Sequence, residues 1–191
     1  KDDGKVSKLN LISADTHSEG VYTVTGIDEY AFYNCSDLSS IKIPNTLTNI
    51  GDMAFYGCNG LEKVCINDLA AWCNIDFEYY IGHDYQFYHR DTNPLLHAGN
   101  LYLNDVLVTN LVIPNNVSEI KVAAFYGCKS LAQMDIPDSV TQIGSLAFNG
   151  CKGIKTLTIG NGLTVIRDHL FTGLTGLETV SIGNSVRTIG P

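Results

Sequence analysis

The sequence predicts a solenoid: one β-rich stack of short coils whose identical slots form ladders, with a modified centre. Three observations predict it. A pattern returns every 23 residues, as from Phe32 to Phe55, Phe125 to Phe148 and Phe148 to Phe171. Other residue types move in step: Ile27, Ile50, Ile120, Ile143, Ile166 and Ile189 fill one slot, and Cys35, Cys58, Cys128 and Cys151 fill another. Within each unit the apolar residues alternate, so one face points inward. A lone unit cannot bury that face, whereas stacked units turn it into a continuous core.

Each slot has a physical reading. In Leu38-x-x-Ile41-x-Ile43 and Leu177-x-x-Val180-x-Ile182 the last two apolar residues have the period of a half-buried strand. Pro44, Pro114 and Pro137 follow such strands and end them, because proline lacks the N–H that a ladder needs. The Val-Thr-x-Ile piece alternates again and predicts a second short strand. Asp52–Phe55 reads as a single helical turn closed by Gly57.

Composition sets the bounds. The chain has 191 residues, 45% hydrophobic and 17% charged, enough for a substantial core and consistent with a single domain. Its net charge of −8 argues against nucleic acid and anionic membrane surfaces as partners. No apolar run approaches the ~20 residues of a membrane span. The chain begins at Lys1 rather than Met and stops in mid-repeat at Pro191, so both ends read as cut. An export signal or anchor would then lie outside it.

In chain order, residues 1–23 read as an N-terminal cap, with strands at Val6–Ile12 and Gly20–Thr25 around a loop at Ser13–Glu19. Regular repeats occupy 24–67. Phe55 and Phe125 are 70 residues apart, one repeat plus 47, so the stretch 68–110 is an insert or a pair of altered coils. It carries its own signals: Asn67 or Asp68 capping a helix over 69–73, Asn93-Pro94 opening a second that Gly99 stops, and a hairpin turning at Asn104-Asp105. Between the helices, Asp76–Asp91 holds six aromatics in sixteen residues. Repeats resume over 111–191, and the unit around Phe171 drifts, with Leu170 and Leu174 in the Ala and Cys slots.

The signature I-P-x-x-V-T-x-I-G-x-x-A-F-x-G-C-x-x-L, over about 24–67 and 111–190, resembles the BspA-like class of leucine-rich repeats. The resemblance implies a right-handed leucine-rich-repeat solenoid with its parallel sheet on the concave side. It also implies a bacterial cell-surface or secreted protein, often linked to adhesion to host matrix proteins or to other cells. The family offers no fixed catalytic residues to transfer.

Candidate chemistry is sparse. The four slot cysteines permit bridges between neighbouring coils, but parallel side chains suit the disulfide dihedral poorly, and buried free thiols are the favoured reading. Cys65 and Cys73 lie outside that slot, and a bridge between them is a lesser alternative. His83, His89 and His97 lack the spacing of a metal motif, and no CxxC occurs, so no metal or other cofactor is expected. Motifs of hydrolases, metalloproteases and nucleotide-binding enzymes are absent, and no enzyme activity is expected.

Two surfaces remain. One is the set of outward strand positions, including Lys42, Lys63, Gln133, Asp135, Thr156 and Thr158, which would form a small, polar ladder. The other is the aromatic insert, Tyr79, Tyr80, Tyr85, Phe87 and Tyr88 with Arg90, whose composition is that of a recognition surface. For most of these rings the favoured reading is that they close over the solenoid interior where the repeat pattern fails. The leading expectation is a non-catalytic adhesion or protein-interaction module, its partner a host matrix or another cell-surface protein. The alternative is a structural spacer without a ligand of its own.

Overall fold

Alternating apolar residues make two short strands per coil, one on each side of a shared core. The computed structural model describes residues 8–11, 15–17, 20–78, 92–167 and 170–190. In chain order the elements are β1 (Lys8–Asn10), β2 (Asp15–His17), β3 (Gly20–Tyr22), β4 (Gly26–Ile27), β5 (Ser40–Ile43), β6 (Asn49–Ile50) and β7 (Lys63–Ile66). The central stretch supplies α1 (Leu69–Cys73), β8 (Asp76–Phe77), α2 (Leu95–Ala98), β9 (Leu101–Leu103) and β10 (Val106–Leu107). There follow β11 (Asn110–Val112), β12 (Glu119–Ile120), β13 (Gln133–Ile136), β14 (Gln142–Ile143), β15 (Thr156–Ile159), β16 (Val165–Ile166), β17 (Thr179–Ile182) and β18 (Thr188–Ile189). Together they form a β-solenoid of about 6 turns.

The longer strands form two main sheets, β1-β5-β7-β9-β10 and β11-β13-β15-β17, parallel except for the β9–β10 pair. Identical slots face each other: Ile41 pairs with Val64 and Ile43 with Ile66, and Met134 with Leu157 and Ile136 with Ile159. All eight are buried. The two-residue strands make the second set of ladders, β4-β6-β8, β12-β14 and β16-β18, led inward by the isoleucine slot.

The third side of each coil differs from the expected helical turn at Asp52–Phe55. Met53 sits at φ 50 and Gly57 at φ 74, and Tyr30, Ala123 and Leu146 repeat the Met53 conformation at φ 56, 57 and 60. The reason lies between coils. Alternate amides turn outward to the next coil, Tyr30 N to Asp52 O at 3.1 Å, Phe32 N to Ala54 O at 2.9 Å and Asn34 N to Tyr56 O at 2.7 Å. A helical turn would keep those donors within its own coil. Satisfying every coil against its neighbour outweighs the cost, ~1–2 kcal/mol, of a left-handed residue with a side chain.

Aromatic rings stack along this side. Phe32 lies 5.4 Å from Phe55, Phe125 5.5 Å from Phe148, and Phe148 6.3 Å from Phe171. The wider last step coincides with the drift at Leu170 and Leu174.

The N-terminal stretch departs from the expected pair of strands around a loop. β1 joins the main sheet, pairing parallel with β5. The expected loop contributes a strand of its own, β2, which pairs antiparallel with β3 and sets Thr16 opposite Val21.

Among its described residues the insert adds one rung to each ladder and then a hairpin: β8 pairs with β6, β9 with β7, and β10 folds back on β9. Asp68 caps α1, its carboxylate accepting from Ala71 N at 3.0 Å. The Asn93 side chain accepts from Leu95 N at 2.8 Å, and Gly99 closes α2 at φ 66. Asn104 and Asp105, at φ 50 and 63, supply the two left-handed residues of a tight hairpin turn.

Candidate binding surface

The outward strand positions come into register, but on two separate sheets. On the first, Ser40 pairs with Lys63 and Lys42 with Cys65. On the second, Gln133, Thr156 and Thr179 form one row, and Asp135, Thr158 and Ser181 the next. Lys42 and Lys63 are exposed, whereas Gln133, Asp135, Thr156 and Thr158 are half-buried. Gln133 Nε2 donates to Asp135 Oδ2 at 3.1 Å, so part of the second face satisfies itself. Tyr79, Tyr80, Tyr85, Phe87, Tyr88 and Arg90 lie outside the described residues.

The first sheet adds residues that the repeat pattern did not single out. Lys8 and Asn10 on β1 pair with Ser40 and Lys42, and Tyr102 on β9 pairs with Cys65. Lys63 Nζ lies 5.5 Å from the centre of the Tyr102 ring. Burial and the carboxylate of Asp105 push the Cys65 thiol upward, while Lys63 and Lys42 pull it back. The alternation in Leu101-Tyr102-Leu103 was the available signal for an outward Tyr102. Nothing local in the sequence placed Lys8 beside this row.

The two sheets meet at an interruption. β10 ends one and β11 begins the other, with no ladder between them. On the turn side the same junction is closed by side chains of the insert. Trp72 Nε1 donates to Ala124 O at 2.9 Å, and Asn93 Nδ2 donates to Ala123 O at 2.8 Å and Ala124 O at 3.0 Å. In the regular coil the matching carbonyl, Ala54 O, receives a backbone amide instead. Trp72 is 1% exposed and meets Phe77 edge-on at 5.4 Å, so these two rings of the insert belong to the core. At the gap lies a shallow groove of about 340 Å³, lined by Leu69, Leu103, Val106, Leu107 and Val112 among others. Val106 is 69% exposed and Val112 57%.

A second exposed aromatic group sits on the turn side of the first two coils. Tyr33 and Tyr56 stack at 5.1 Å, and Tyr30 meets Tyr33 edge-on at 5.7 Å. The recurring Phe-Tyr pair at 32–33 and 55–56 was the signal for it, overlooked beside the denser aromatics of the insert. A polar groove of about 430 Å³ lies between β14 and β16, lined by Glu119, Thr141, Gln142, Thr164 and Arg167 among others. Glu119 is already paired with Lys121 at 2.7 Å.

All six cysteines are free thiols, so neither inter-coil bridges nor a Cys65–Cys73 bridge forms. The slot does more than fill space. Cys58 Sγ donates to Phe32 O, and Cys151 Sγ to Phe125 O, each at 3.1 Å, tying a coil to the one before it. Desolvation pushes Cys73 up to about 12 and Cys128 to about 11, and raises Cys151 as well. Buried thiols of this kind are poor nucleophiles. Among the described residues no group of three His, Cys, Asp or Glu converges as a metal site, and no helix is long and apolar enough to cross a membrane.

The chain matches a family model described as a BspA type leucine rich repeat region, in six copies over residues 16–78 and 99–191. No curated protein sequence matches it. Among solved structures it is similar to a leucine-rich repeat protein of T. pallidum, at 22% identity and a TM-score of 0.54 over 98% of this chain and 74% of that one. It is also similar to a leucine-rich repeat protein of Bacteroides ovatus, at 26% identity and a TM-score of 0.53 over 96% of this chain. It spans 47% of that protein's length. The repeat signature, the ladders it builds and the family match over most of the chain agree: the chain belongs to the BspA-type leucine-rich repeat family.

Proposed function

We propose that this chain is a non-catalytic, extracellular protein-binding module with an adhesive role, engaging its partner over the outer face of the main sheets. The observation that carries this reading is the register-locked presentation of outward side chains on a rigid stack. A preorganised face loses little conformational freedom on binding. Lys42 and Lys63 would contact the partner on one sheet, and Gln133, Asp135, Thr156 and Thr158 on the other. Tyr79, Tyr80, Tyr85, Phe87, Tyr88 and Arg90 would add aromatic anchors of the kind that dominate interfaces. A host matrix protein or another cell's surface protein is the expected partner. Family membership supports an interaction role, and the absence of recognisable catalytic motifs accords with it.

A second reading, a spacer that only holds other regions apart, draws on the second sheet, whose outer face is small and without aromatic or arginine anchors. Capture of matrix and cell-surface proteins on the immobilised intact chain separates the two. Specific capture is expected, weakened when residues 79–90 are replaced by Gly and Ser. Unchanged capture by that variant removes the insert from the site. An empty capture by the intact chain favours the spacer.

A further inference from the structure

We infer that the outer face of β1, β5, β7 and β9 docks an extended polypeptide segment bearing clustered carboxylates followed by apolar residues. This deepens the proposed protein-binding role and rests on it. Charge is segregated on this face. The chain carries 12 Lys and Arg against 20 Asp and Glu, yet Lys42 and Lys63 are its only Lys or Arg between positions 9 and 89. Both project from the same sheet face, where β1 adds Lys8. No carboxylate occurs in β1, β5 or β7. Two carboxylates border the face, exposed Glu62 just before Lys63 and Asp105 at the hairpin turn beside Cys65.

Geometry makes the three lysines one site. Lys8 and Lys63 share a row with Ser40 between them, and Lys42 lies in the next outward row, opposite Asn10 and Cys65. With strands ~4.8 Å apart and ~3.3 Å per residue, Lys8 and Lys63 are ~10 Å apart and Lys42 ~8 Å from each. Flexible ammonium stems at those distances can converge on neighbouring carboxylates. None of the three forms an ion pair with a described residue; Lys63 rests instead over the Tyr102 ring. An anionic partner would therefore displace no existing salt bridge.

The adjoining seam decides for a polypeptide over an anionic sugar chain. The face runs on from Tyr102 to Leu107, its partner across the hairpin, and then to the groove, which Leu107 and the outward Val112 line. A sulfated or carboxylated glycan has no use for that apolar end. A polypeptide can place acidic side chains over the lysines and apolar ones in the seam. β1 to β10 is four strand steps, ~19 Å, which an extended segment crosses in roughly six residues.

The test is selection of a random twelve-residue peptide library on the immobilised intact chain, beside a heparin-binding arm. The expected result is enrichment of peptides with two or more Asp or Glu followed by Leu, Ile, Val or Phe. Their affinity should fall about tenfold or more in the K42A/K63A double variant, fall again with added salt, and fall in V112D. These substitutions are on the surface, and circular dichroism checks that the fold persists. Enriched peptides that lack acidic residues, or bind the double variant unchanged, overturn the inference while leaving a protein-binding role intact. Lysine-dependent retention of heparin with no enriched peptide also overturns it, assigning the face to a glycan. If no peptide is enriched and the intact chain captures no protein, the broader role falls with it.

Discussion

The regular junction between coils and the junction across the insert solve the same problem by different means. Between β5 and β7, or β13 and β15, equal coil lengths bring like slots opposite each other, and backbone groups bond backbone groups on every side. Across the insert the coil length changes, and the main sheet breaks between β10 and β11. Side-chain donors from Trp72 and Asn93 then reach carbonyls that a neighbouring coil would have served. The lesson is that repeat stacking propagates only while register is kept. Where register is lost the core is still sealed, by side chains, but apolar residues such as Val106 and Val112 are left on the surface. The structural exception is therefore also the place with material for recognition.

The largest losses are expected at the ring cores of the two junctions. Trp72→Ala should destabilise by ~3–5 kcal/mol, because it empties a fully buried site and orphans part of the bonding to Ala124 O. Phe148→Ala, at the centre of the regular stack, should cost a similar ~3–5 kcal/mol. Phe171→Ala should cost visibly less, since its ring is only half-buried and its stacking step is wider. Urea unfolding of the three variants checks the order. Equal losses at Phe148 and Phe171 would contradict the looser packing assigned to the last coil.

Trp72→Phe isolates the polar part of the seam. Keeping an aromatic ring while deleting the indole N–H should cost ~1–3 kcal/mol, read from the same unfolding curves. At the regular junction the corresponding probe is Gly144→Ala. A Cβ there would run into the backbone nitrogen of Val122 in the preceding coil. Since one coil presses directly on the next, the substitution should lower the thermal midpoint by several degrees.

Thiols give a gentler contrast. In the folded chain Cys73 is raised from 9.0 to about 12, and Cys128 from 9.0 to about 11. A raised thiol keeps its proton in the folded state where the unfolded chain would release it. The associated stability is thus fully present below pH ~9 and is lost as pH rises through the folded values. Unfolding midpoints should be flat at neutral pH and decline between about pH 9 and 12. Alkylation at pH 8 should label Cys35 and Cys65 well before the four buried cysteines. Early labelling of Cys73 would mean that the seam opens more readily than its packing implies.

The smallest expected effect concerns backbone strain. Met53→Gly removes a side chain from a left-handed residue at φ 50, a gain of ~1 kcal/mol offset by lost side-chain contact and a more flexible unfolded chain. A change within about 1 kcal/mol in urea unfolding is expected.

Much of this architecture was legible in the residues. The Ile slot, the Phe slot and the Leu-x-x-Val-x-Ile pieces each announce one structural position, and repetition makes each assignment several times over. The two caps at Asp68 and Asn93, the Gly99 stop and the Asn104-Asp105 turn were legible too, since each depends on a few neighbouring side chains. The Asp52–Phe55 turn was not. Its conformation is set by amides bonding to another coil, which local propensity does not report. β2 was missed because three polar residues gain strand character only from β3 alongside. Of the candidate site, the ladder residues were legible as outward positions, but their division between two sheets was not.

The coil is written in the residues: which point inward, where strands stop and which slot holds a buried thiol. Those properties follow from local alternation repeated at a fixed length. The tertiary structure alone decided where the stacking breaks, which side chains seal the break, and that Lys8 stands across Ser40 from Lys63. These depend on how the chain between two strands closes. The strand residues of a solenoid do not encode which distant residues become neighbours when the coil between them changes length.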